Sequence, residues 1–158
     1  VSTRDLHLRN LREVVEELEH AQHWLRRSAR QCEQVDMTRD LTEEEYDALE
    51  AYTSRFSRLS DLLIQKVFRS IDTVELELAG TLLDAVNRAA KRGLVEDVDD
   101  IFRIRETRNE VAHEYIAEDL PALFDRIRKY APVLDRVVDT TVAYCQKYLG
   151  DLPRKERD

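Results

Sequence analysis

The chain has 158 residues, a formal net charge of −8, 37% charged residues, and only three glycines and three prolines. That is the length of one domain, with too little turn material for a sheet-rich fold, so long helices are expected. The acidic balance argues against sequence-blind binding of nucleic acid by the whole surface, while arginines clustered in short stretches leave room for a local basic cleft.

Leu8, Leu11, Val14, Val15, Leu18, Leu25, Ala29, Cys32 and Val35 recur at three- and four-residue steps, which predicts a first helix over 3–35 with Ser2 or Thr3 as its cap. Within it, Glu16, Glu17, Glu19, His20 and His23 form a polar cluster. His20 and His23 have a spacing open to metal ligation, but a solvated charged face is the favoured reading. Residues 36–42 form a short polar connector. Thr42 followed by Glu43, Glu44 and Glu45 reads as a capping box with an acidic first turn.

A second long helix is expected to about Ile71, with Tyr46, Leu49, Phe56, Leu59, Leu63 and Val67 as its stripe. Tyr46 and Tyr52 read as core aromatics. Leu62 and Phe68 widen the stripe, as for a helix that meets more than one neighbour. Residues 70–80 alternate like a strand but have nothing to pair with, so they read as a loop into a third helix over 78–92, with Gly93 as its C′ residue. Asp97 or its neighbours cap a fourth helix ending near Ala117, with Asp99 and Asp100 suiting its positive end. Asp119 and Pro121 start the last helix. Pro132 is expected to kink or split it, and Gly150 to end it.

The fold class expected is all-α: an antiparallel helical bundle of about five helices, one domain over 1–150 with a frayed tail over 151–158. Cys32 and Cys145 read as buried thiols of a reducing cytoplasm. No stretch reaches the ~18 apolar residues of a membrane span. A soluble, cytoplasmic protein without signal peptide or membrane partner is therefore expected.

One residue breaks the pattern. On the fourth helix, Ile101, Ile104, Val111, Ala112, Tyr115 and Ile116 share one side, and Arg108 falls within that apolar arc. An unpartnered buried guanidinium costs several kcal/mol, roughly, so Arg108 needs a partner or a polar cleft. Asn109 and His113 lie at the border of the arc. The bland readings are an ion pair with another helix for Arg108, a functionless helix-end histidine for His113 and a core aromatic for Tyr115. Arg105, near the same arc, reads either as support for a phosphate or as a snorkelling surface residue.

Taken together, Arg108, Asn109, His113 and Tyr115 form the string RNEVAHEY. It resembles the HEPN superfamily, and within it the HepT-like group with its Arg-x4-His-x-Tyr motif. The resemblance implies a metal-independent endoribonuclease acting as a toxin in a type II/VII-like toxin–antitoxin pair, with no cofactor. It also implies a homodimer whose two motifs face a shared cleft. The implied partners are an RNA substrate and an MntA-like nucleotidyltransferase antitoxin able to transfer AMP to Tyr115. Residue chemistry fits: an imidazole moves the 2′-OH proton near neutral pH, and a guanidinium holds the scissile phosphate as charge builds. His113 is then general base or acid, Arg108 the phosphate clamp, Asn109 an orienting group and Tyr115 the regulated position. Two readings compete. One is a non-catalytic HEPN-like substrate-binding partner of a nucleotidyltransferase. The other is a di-iron bundle built on Glu17-x2-His20 and Glu110-x2-His113, although neither glutamate sits in an apolar stripe.

Overall fold

The computed structural model describes residues 1–113 and 120–150. Among them the chain is all-helical, a bundle of five helices: α1 (Thr3–Cys32), α2 (43–74), α3 (Leu82–Lys91), α4 (Val98–His113) and α5 (Leu120–Leu149). Three helices start on the same device. Ser2, Thr42 and Thr81 each accept a bond from the backbone N–H three residues on, and the carboxylates of Asp5, Glu45 and Asp84 each accept one from the cap's own N–H. At α4, the Asp97 carboxylate accepts from the Asp99 N–H at 2.9 Å, the capping expected of it.

The C-terminus of α3 closes as its sequence predicts. Gly93 has φ +80°, its N–H bonds to Ala90 O, and the Leu94 N–H bonds to Ala89 O. This is the paired closure for which a residue without Cβ is favoured. The α3 start is later than expected, at Leu82 rather than 78, because the Thr81–Asp84 capping box fixes it there.

In α2, the segments Glu43–Asp61, Leu62–Val67 and Phe68–Val74 run on without a break, the middle one as a π-helical turn. The helix ends at Val74 rather than Ile71. The π turn absorbs one extra residue and rephases the helix. Consecutive Leu62, Leu63 and Ile64 are thereby all buried, together with Val67 and Phe68. The widened stripe has the consequence read from it: α2 packs against α1, α3, α4 and α5.

One expectation is corrected and another narrowed. Tyr46 is not core: it is 45% exposed, because it lies in the first turn of α2, above the packed layer that begins at Leu49. Tyr52 is buried as expected. Pro132 does not split the last helix, which continues through it to Leu149. Pro132 is on the exposed side, where solvent reaches the backbone left without its usual donor.

The core joins all five helices around Leu11, Leu18, Phe56, Leu63, Phe68, Val86, Ile101, Ile104, Ile127 and Leu134. Arg128 ties the α1–α2 connector to α5 by donating to Cys32 O and Val35 O. Both cysteines are buried and unpaired. No helix among the described residues is long and apolar enough to cross a membrane.

Candidate functional site

Helix α4 buries Ile101, Ile104 and Thr107. Thr107 tolerates that position because its hydroxyl donates to Arg103 O at 2.8 Å. One residue on, Arg108 lies beside this line, and the rest of the expected arc thins out: Val111 is half-buried and Ala112 exposed. The C-terminal part of α4 thus rises out of the packed layer, so the apolar arc does not bury its arginine.

Arg108 has both a partner and a cleft. Its Nε donates to Asp61 Oδ1 at 2.8 Å and its Nη2 to Asp61 Oδ2 at 2.9 Å. Asp61 belongs to the same chain and ends the regular part of α2 just before the π turn. This is the ion pair with another helix that the bland reading anticipated. It is not a deep one: the two side chains are 31% and 43% exposed. An exposed pair of this kind adds at most about 1 kcal/mol to stability. The Asp61 bonds push the guanidinium further above its already high pKa, against a smaller effect of burial. Two donor nitrogens are used, and the Nη1 edge has no hydrogen bond among the described residues. Among the described residues the guanidinium is thus held at one edge and open at the other, an arrangement suited to an anion.

Arg108 stands between two depressions. One, of about 760 Å³, is bounded by the first turns of α2, by Val111 and Ala112, and by Leu123 and Phe124. Its wall carries Asp47 and Glu50, which disfavour phosphate. The other, of about 250 Å³, is small and polar, with Ser60, Asp61, Gln65, Arg105, Arg108 and Asn109 around it. Here two arginines and two amides meet one carboxylate, the better setting for an oxyanion. Arg105 and Asn109 are both exposed. The structure therefore brings Arg108, Asn109 and Arg105 to one cleft. Tyr115 lies outside the described residues, as does the His113 side chain. His113 is the last described residue of α4.

No family model, no curated protein and no solved structure matches this chain.

The glutamates of the di-iron reading are engaged elsewhere. Glu17 faces Lys66 at 3.8 Å, and Glu110 pairs with Arg126 between α4 and α5. Among the described residues no group of three or more His, Cys, Asp or Glu side chains gathers as for a metal ion. His20 and His23 are exposed and pack their rings against Trp24. Asp61 is the residue of the site that sequence reasoning missed. It is 47 positions from Arg108, and its only local signal is an acidic residue directly before an apolar run.

Proposed function

We propose that the chain is a HEPN-like, metal-independent endoribonuclease of the HepT type, acting as the toxin of a toxin–antitoxin pair. The observation that carries the reading is the Arg108 guanidinium, half-exposed at a polar cleft and clamped on one edge by Asp61. It lies five residues before His113 on the same helix. In this reading Arg108 grips the scissile phosphate through its open edge and Asn109 orients it. His113 takes the proton from the 2′-OH as that oxygen attacks phosphorus. The 5′-oxygen leaves with a proton from an acid, and a 2′,3′-cyclic phosphate remains. Two-fold pairing of α4 with its copy would supply the second histidine as that acid.

The test is cleavage of single-stranded RNA in the presence of EDTA. Wild type should cut, and Arg108→Ala and His113→Ala should each lose on the order of a hundredfold or more in rate. Cleavage unaffected by either variant, or absent from the wild-type protein, overturns the reading.

Neutralisation in this reading is AMP transfer to Tyr115 by an MntA-like nucleotidyltransferase. The added phosphodiester would compete with substrate for the arginines. With ATP and that partner, wild type should gain the mass of AMP and Tyr115→Phe should not. An undiminished mass shift in Tyr115→Phe contradicts this assignment.

A second reading is favoured by one feature, the Asp61 carboxylate that already occupies half of the guanidinium. In it the chain is a non-catalytic partner of a nucleotidyltransferase, and the same assay returns no cleavage.

A further inference from the structure

The chain has a single tryptophan, and it is on the surface. Trp24 on α1 is 37% exposed, yet it is held in place. Its Nε1 donates to His20 Nε2 at 3.2 Å, and the His20 and His23 rings meet it edge-on at 6.3 and 5.3 Å. The Arg55 guanidinium of α2 lies 5.0 Å from the ring centre and is itself fixed by a 2.7 Å bond to Ser28 Oγ. Beside them is a depression of about 290 Å³, edged by His20, Ala21, Trp24, Arg55 and Arg58. Arg58 is exposed and has no hydrogen-bond or ion-pair partner among the described residues.

Helix geometry connects this depression to Arg108. Residues 55, 58 and 61 step by three, so each rises about 4.5 Å and turns back about 60° around α2. That row crosses the outer surface of α2 obliquely. It starts with Arg55 against Trp24 of α1, passes Arg58, and ends with Asp61, which holds Arg108 of α4. The span from 55 to 61 is about 9 Å along the axis. Arg55 faces Trp24 and Lys66 faces Glu17, so the row from 55 to 61 advances toward the level of the α1 glutamates while its back-turn carries it round α2 from α1 to α4.

We infer that Trp24, with Arg55 and Arg58, forms a stacking shelf for one base of single-stranded RNA, whose following phosphate groups are led along Arg58 to the Arg108 cleft. A pre-ordered indole flanked by cations is the combination that binds single strands without reading sequence, because every base has a π-face. The inference rests on the nuclease reading for the second end of the track, but not for the shelf itself.

The test uses a short 2′-O-methyl oligoadenylate, which lacks the attacking hydroxyl and so reports binding without turnover. With one tryptophan in the chain, indole fluorescence reads the shelf directly, and anisotropy of a labelled oligonucleotide reads binding overall. Saturable quenching that coincides with the anisotropy rise is expected. Trp24→Ala and Arg58→Ala should each weaken binding about tenfold, and Trp24→Phe should keep most of it. Circular dichroism confirms that these surface variants fold. Binding without quenching, or wild-type affinity in Trp24→Ala and Arg58→Ala, overturns the shelf. The two proposals fail separately. RNA cleavage that needs Arg108 but ignores Trp24 leaves the nuclease reading and removes the shelf. Quenching by the oligonucleotide with no cleavage of RNA leaves the shelf and removes the nuclease.

Discussion

Arg108 illustrates how little energy a functional-looking contact needs to carry. Its bonds to Asp61 are short and two-fold, but both side chains remain substantially in water. Solvent screening then cancels most of the attraction. Arg108→Ala should change unfolding free energy by less than about 1 kcal/mol in urea titrations. A larger loss would make the arginine a structural strut and remove the meaning of its activity phenotype. The cysteines make the opposite case. Burial pushes the Cys32 thiol up and takes that of Cys145 to about 12, so neither is a thiolate at neutral pH.

Among the described residues, a partly buried polar assembly between elements lies away from the candidate site. At the end of α2, Glu75 accepts from the Tyr144 and Tyr148 hydroxyls at 2.6 and 2.7 Å and from Arg92 Nε at 2.9 Å. Asp72 accepts from Arg92 at 2.7 Å and from Arg88 at 3.3 Å. The group joins α2, α3 and α5, and it holds the connector in which Leu76 adopts φ +60°. Arg92 and Asp72 are nearly out of solvent, at 8% and 9% exposure. Removing one partner strands the other, which is the expensive way to break a buried pair. Asp72→Ala should cost about 3 kcal/mol by urea unfolding. A cost below about 1 kcal/mol would mean that water replaces the carboxylate freely.

For the whole molecule, Glu75 of that cluster contributes to the acid limit of stability. Burial pushes the Glu75 carboxyl up, but the two tyrosine hydroxyls and Arg92 outweigh it and hold the carboxyl below its ordinary value of 4.5. A carboxylate with a depressed native pKa contributes stability above the unfolded value and loses it as pH falls through the native one. The urea midpoint should therefore hold from about pH 7 to about pH 5 and fall below about pH 4.5. Glu75→Gln should be less stable at neutral pH and show a shallower acid decline. An unchanged acid limb in that variant would exclude Glu75 as its source.

The helices, two of their caps and most of the core were legible in the sequence, since these depend on neighbours three or four residues apart. Ser2–Asp5 and Thr42–Glu45 close within one turn and Gly93 answers to backbone geometry alone, whereas the Thr81–Asp84 box, equally local, went unread and set the α3 start later than expected. Arg108 stood out for the same reason, as a charge at an apolar period. Its environment was not legible. Whether α4 stays buried through Ala112 depends on how far its neighbours extend, and Asp61 becomes its partner only because α2 and α4 pack side by side. The row from Trp24 through Arg58 is likewise a property of packed surfaces. One-dimensional spacing fixes which residues share a face of one helix, but only the packing of three helices decides which faces meet.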